Sequence, residues 1–156
     1  MNFEKHGIVF IATGFYLGKM PVAPGTFGSL LGLPLWIVLS KFGPVFAIGC
    51  LAVFILFAMG VAHKASAILN QKDPGCVVID EIAGMAVTMV GLPFSWAAII
   101  AGFIVFRILD IVKPFPIRWV DRHVRGGTGI VMDDILAGII GNITLRIAFQ
   151  LYDIVR

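Results

Sequence analysis

The chain is poor in charge, in cysteine and in histidine. Only 13% of its 156 residues are Asp, Glu, Lys or Arg, and the basic ones form no run that would track a nucleic-acid backbone, so nucleic acid is not expected as a partner. Cys50 and Cys76 are its two cysteines. With no CxxC pair and no histidine at ligand spacing they give no zinc site, and a disulfide is not expected. His6, His63 and His123 stand apart from one another, and none is assigned to a metal. There is no repeat, low-complexity tract or linker, so residues 1–156 read as a single domain. The short apolar core from Gly7 to Leu17 reads as retained rather than as a cleaved signal, because Glu4 interrupts its basic start and Pro and Gly follow it.

What is there is hydrocarbon. Apolar residues make up 59% of the chain and the mean hydropathy is +0.99, above the range of soluble domains. Phe42 to Ala62 and Ile82 to Phe106 contain no acid and no base, and each is long enough to cross about 30 Å of hydrocarbon as a helix. Pro21 to Ser40 is also uncharged, but prolines and glycines interrupt it, so helix is expected only from about Ser29 to Ser40. Ile135 to Tyr152 is the fourth apolar segment, with Arg146 its one charge. The fold expected is all-α: a polytopic helical membrane protein of four to five hydrophobic helices, joined by short or re-entrant hairpins.

Two breaks shape that expectation. Lys41-Phe42-Gly43-Pro44 separates two apolar stretches and predicts a hairpin. Gly91-Leu92-Pro93 falls inside the segment from Ile82 to Phe106. A straight helix there would hold Glu81 and Arg107 roughly 40 Å apart, on opposite sides of a membrane, whereas a hairpin returns Arg107 to Glu81. Charge favours the hairpin, since it places Lys5, Lys19, Lys64, Lys72, Arg107, Lys113, Arg118, Arg122 and Arg125 on one face. By the positive-inside tendency that face is cytoplasmic.

Four segments carry candidate chemistry. Pro24-Gly25-Thr26-Phe27-Gly28-Ser29 puts hydroxyls and backbone N–H groups before an apolar helix, which suits either an anion pocket or a simple N-cap by Thr26 or Ser29. Asp80-Glu81 opens an uncharged helix; the helix dipole accounts for one acid, and a cation for the second. Arg107, Asp110 and Lys113 recur along one helix face that Pro114 ends, which suits either a salt-bridge ladder or a phosphate site. Gly126-Gly127-Thr128-Gly129 reads as a flexible loop leading into Asp133-Asp134 at the start of the last apolar helix, without the Gly-Lys-Ser/Thr of a Walker loop. Acids that border hydrocarbon at several places are costly unless they pair or bind something.

These pieces in this order, together with Ala12-Thr13-Gly14-Phe15 and the run from Phe106 through Pro114-Phe115-Pro116-Ile117-Arg118, resemble the phosphatidylglycerophosphatase A family. The resemblance covers most of the chain. It implies a bacterial inner-membrane lipid phosphatase, multi-pass and with its active site facing the cytoplasm. Such an enzyme uses Mg²⁺ to release the terminal phosphate of phosphatidylglycerophosphate, giving phosphatidylglycerol. On this reading Glu81 and Asp134, helped by Asp80, Asp110 or Asp133, hold one or two Mg²⁺ ions. Arg107 and Lys113 bind phosphate, and Thr26 and Ser29 or the loop N–H groups complete the cradle. The nucleophile stays open between a metal-activated water and an aspartate, because no Ser or Cys in the motifs has a His or Lys as its base. A divalent-cation transporter is the non-enzymatic alternative, and it leaves Arg107 and Lys113 without a role. The small-residue face Gly138-Ile139-Ile140-Gly141 would permit helix association and a homo-oligomer.

Overall fold

The computed structural model describes residues 3–155. Seven α-helices and no strand occur among them: α1 (Phe3–Ala12), α2 (Pro24–Ser40), α3 (Pro44–Leu69), α4 (Ile79–Met89), α5 (Trp96–Val112), α6 (Ile117–His123) and α7 (Gly126–Val155), with a 3₁₀ turn at Leu17–Lys19. The all-α expectation holds.

Two boundaries differ from those read off the sequence. Helix α2 begins at Pro24, not near Ser29, because Pro at the first helical position loses no hydrogen bond and has its φ preset. Ala23, in the left-handed region at φ 49°, turns the chain into it. Thr26 and Ser29 therefore lie inside the helix and cap nothing. Gly126 to Asp134 is not a loop but the first turns of α7. A Cβ on Gly127 would collide with the Met59 carbonyl and lie 2.6 Å from the His63 nitrogen, so this glycine serves close packing on α3 rather than flexibility. Part of the span between Lys113 and Gly126 is likewise helical, as α6.

The break at Gly91 reverses the chain. Helix α4 ends at Met89, and α5 starts at Trp96, where the Ser95 hydroxyl accepts from the Ala98 N–H at 3.1 Å. The carbonyls at the end of α4 are not left without partners. Asn142 Nδ2 donates to Thr88 O (2.7 Å) and Val90 O (2.9 Å), and Arg146 Nη2 donates to Val90 O at 3.0 Å. Arg146 thus closes a broken helix end from within the apolar part of α7.

Helix α4 is the centre of the bundle. Ile79, Ile82, Ala83, Met85, Ala86 and Met89 are buried, and the helix packs chiefly between α7 and α2. Gly138 and Gly141 of α7 face inward, onto Gly84 and Val87 and onto Thr88, Val105 and Leu109. That small-residue face is spent inside the chain and is not offered to a second copy. Among the described residues α3 is the one helix both long and apolar enough to cross a membrane; α2 is apolar but has 17 residues. Large apolar side chains stay exposed in rows, Ile100, Ile104, Ile108 and Ile111 along α5 and Ile139, Ile143, Ile147 and Leu151 along α7.

Candidate metal and phosphate site

The α4–α5 reversal and the length of α7 bring the acids to one end of the bundle. Asp80 and Glu81 occupy the first turn of α4, and Asp134 lies about two turns into α7. One carboxylate oxygen from each lies within 4.8 Å of the other two. Asp80 and Asp134 are buried, and Glu81 is partly so. The Glu81 N–H donates to Asp80 Oδ1 at 3.1 Å, while Glu81 Oε2 is sealed from solvent with no partner. Among the described residues no Lys, Arg or His forms an ion pair with any of the three.

Burial pushes the carboxyls of Asp80 and Asp134 well above their ordinary values. Repulsion from Glu81 adds to this at Asp80, and repulsion from Asp110 and Glu81 adds to it at Asp134. Glu81 is also raised by burial, with the contact to Asp80 opposing. Three clustered carboxylates, one of them with an orphaned buried oxygen, fit a hard divalent cation such as Mg²⁺, which prefers oxygen and needs only one or two protein carboxylates.

A cationic fork stands beside the triplet. Arg107 Nη1 on α5 donates to Asp110 Oδ2 at 2.6 Å and to Ser29 Oγ at 3.4 Å, and Ser29 Oγ donates to the Gly25 carbonyl at 2.8 Å. Gly25 is needed here. A Cβ at that position would sit 3.1 and 3.3 Å from the two Arg107 Nη atoms and would collide with Glu81 Oε1. Thr26 is half-buried in the same turn. Asp110 borders the triplet while remaining bound to Arg107.

Lys113 goes elsewhere. It ends α5 in the left-handed region at φ 45°, and its Nζ donates to Asp121 Oδ1 at 2.8 Å and to Asp133 Oδ2. The expected row Arg107, Asp110, Lys113 therefore breaks at its third member. Burial lowers the Lys113 pKa, but the two carboxylates more than offset this and leave it raised. The adjacent acids Asp133 and Asp134, about 100° apart on a helix, serve two clusters. Asp133 pairs with Lys113, its other oxygen unpartnered, at a cavity of about 230 Å³ shared with Asp121, Lys72 and Asp73. Asp121 is the residue that sequence reasoning missed: it lies eight positions from Lys113 across a turn, and an acid between Trp119 and Arg122 was its one signal. Lys113→Ala strands the buried Asp133, so we expect a loss of about 2 kcal/mol in unfolding free energy, below the usual cost of a fully buried pair because Asp121 is partly exposed. Denaturant melts of both proteins check this, and an unchanged midpoint removes the structural role.

The model of the phosphatidylglycerophosphatase A family matches residues 10–149, a span that holds both clusters. The chain belongs to the phosphatidylglycerophosphatase A family. It is 44% identical over 133 residues to the Escherichia coli K12 protein named phosphatidylglycerophosphatase A, covering 83% of this chain and 76% of that one. The Haemophilus influenzae protein of the same name is 39% identical over 134 residues, 85% of this chain and 82% of its own. A Bacteroides thetaiotaomicron protein, provisionally named a phosphatidylinositol-3-phosphatase, is 38% identical over 149 residues, 90% of this chain and 92% of its own. No solved structure matches the chain.

The raised carboxyls give this family member a pH signature. A folded-state value above the unfolded one adds stability that is complete below the ordinary range, 3.8 for Asp80 and Asp134 and 4.5 for Glu81, and is lost as pH rises through the raised values. A divalent cation favours the ionised forms. The gain in melting temperature on adding Mg²⁺ should therefore grow from pH 5 to pH 8, and a gain independent of pH would count against these three residues as its ligands.

Proposed function

We propose that this chain is a membrane-embedded, Mg²⁺-dependent phosphatase that cleaves the terminal phosphomonoester of phosphatidylglycerophosphate, yielding phosphatidylglycerol and phosphate in glycerophospholipid biosynthesis. The observation that carries the reading is the meeting of the Asp80, Glu81 and Asp134 carboxylates with the Arg107 fork, in a chain whose relatives are named for this activity.

Asp80, Glu81 and Asp134 would hold Mg²⁺, with Asp110 at their border. The bound ion supplies charge neutralisation and Lewis acidity toward a phosphoryl oxygen. Arg107 offers two N–H groups in the geometry that matches phosphate. Asp110 and Ser29 hold its guanidinium over Gly25, and the Thr26 hydroxyl lies in the same turn. Lys113 acts through Asp133, holding that carboxylate in the wall of the neighbouring cavity. Ser29 is a poor nucleophile, since its hydroxyl donates to a backbone carbonyl, which leaves water or an aspartate as the attacking group.

The exposed apolar rows of α3, α5 and α7 support a multi-pass arrangement in the inner membrane, with α3 spanning and the shorter α4–α5 hairpin re-entrant. The acidic end lies among the basic residues and so at the cytoplasmic face, at the depth of lipid headgroups. The Bacteroides relative favours one second reading, phosphatidylinositol 3-phosphate as substrate, which is the same monoester on a different headgroup. No observation favours cation transport.

The test is phosphate release by the purified protein from each lipid in detergent micelles, with Mg²⁺ or EDTA. Mg²⁺-dependent release from phosphatidylglycerophosphate supports the proposal. Release from the inositol lipid alone transfers it to the second reading, and release from neither by folded protein rejects both.

A further inference from the structure

Arg146 is a cation at the far end of the bundle with an excess of bonding capacity. Its Nε donates to Asn142 Oδ1 at 2.7 Å and its Nη2 to Val90 O, while Nη1 makes no hydrogen bond, and among the described residues no carboxylate pairs with it. The guanidinium rests on Gly91, where a Cβ would collide with Nη2. It lines a cavity of about 540 Å³ between the α2–α3 turn and the α4–α5 turn, together with Trp36, Ser40, Pro44, Leu92 and Pro93. Trp36 is fixed there by stacking on Phe94 at 5.5 Å.

This place is remote from the acids. Arg146 lies twelve residues past Asp134 on α7, about 18 Å along the helix, and Ser40 lies fifteen past Gly25 on α2, about 22 Å. In the topology proposed above it falls in the opposite leaflet, beside Pro44 where the spanning helix α3 begins.

We propose that this cavity is a binding site for an anionic phospholipid, its phosphate on the Arg146 guanidinium and its chains along the apolar wall of Leu92, Pro93 and Pro44. An unpaired cation beside apolar surface calls for an anion of amphipathic character. The lining holds one cation and no carboxylate. A zwitterionic lipid brings an ammonium that finds no partner there, whereas an anionic lipid leaves no charge uncompensated.

The inference rests on membrane embedding but not on the catalytic assignment. Its test uses the full chain with Trp96 and Trp119, both exposed, changed to Phe, so that Trp36 is the sole tryptophan. Trp36 fluorescence is followed in vesicles of phosphatidylcholine carrying a small fraction of brominated phosphatidylglycerol or brominated phosphatidylcholine. We expect the anionic quencher to be effective at about tenfold lower mole fraction, the preference to vanish in Arg146→Gln, and Arg146→Lys to keep part of it. Equal quenching by the two lipids overturns the site, as does a preference that survives Arg146→Gln. Quenching by neither overturns the site and the membrane embedding together. Relief of quenching by millimolar glycerol phosphate reassigns the pocket to a water-soluble phosphate and so overturns the lipid. Should Arg146→Gln fail to fold, Ser40→Glu, which adds a carboxylate to the lining at an exposed position, must abolish the same preference.

Discussion

Asp134→Asn should lower turnover by on the order of 10³-fold at saturating substrate and Mg²⁺, without lowering the melting temperature measured in EDTA. The two halves have one cause. Asp134 is buried, it is repelled by Asp110 and Glu81, and its carboxyl is held far above its ordinary value, so the charge that the cation needs is a burden on the metal-free fold. Asparagine has nearly the same volume and carries no charge, so the substitution removes a proposed metal ligand and relieves the repulsion together. Glu81→Gln should behave in the same way, because Glu81 Oε2 is sealed off without a partner. Phosphate release and thermal melts in EDTA and in Mg²⁺ check both variants. Wild-type turnover in either at saturating Mg²⁺ would remove that residue from the metal set; a fall in the EDTA melting temperature would show that the carboxylate serves structure instead.

Gly84→Ala should be a strongly damaging single-methyl change near the site. Its Cβ would stand 2.7 Å from the Asp134 carbonyl and 2.7 Å from Phe106 Cε2, so α4 must move away from α7 and α5 together. Overpacking of this kind costs about 1–3 kcal/mol. The same movement draws Glu81 away from Asp134, and a loss of alignment between groups that must act together lowers turnover by about 100-fold. Gly60→Ala is the matched control. It lies within α3 with nothing within 4 Å of the new methyl, so helix propensity alone acts and stability should rise by about 0.5–1 kcal/mol. Parallel melts and activity assays compare the two. Equal behaviour would mean that the α4–α7 contact does not position the acids.

The sequence identified most of the proposed site residues but placed them only in part. Asp80, Glu81, Asp110, Asp134 and Arg107 were each conspicuous as charge bordering uncharged runs, and the turn at Gly91 carried the signals of a break. Lys113 shows where periodicity misleads. Spacing put it on the face of Arg107 and Asp110, but the left-handed residue that ends α5 turns it toward Asp121 and Asp133. The helix starts at Pro24 and Gly126 were hidden for a different reason: Pro and Gly read as breakers, yet Pro is neutral at a first helical position, and the glycines admit a neighbouring helix.

By itself, then, the sequence determined that the protein is helical and strongly apolar, which few residues carry its chemistry, and which family it belongs to, because these depend on composition, on local pattern and on motifs read in order. Tertiary structure decided which acids meet. Whether Asp133 or Asp134 joins Asp80 and Glu81, that Asp121 completes a second cluster, and that Arg146 and Asn142 close the end of α4, all depend on the rotation of one helix about its axis against another. That rotation is set by close contacts such as Gly84 on Gly138, between residues 54 positions apart, and no local pattern in the chain encodes it.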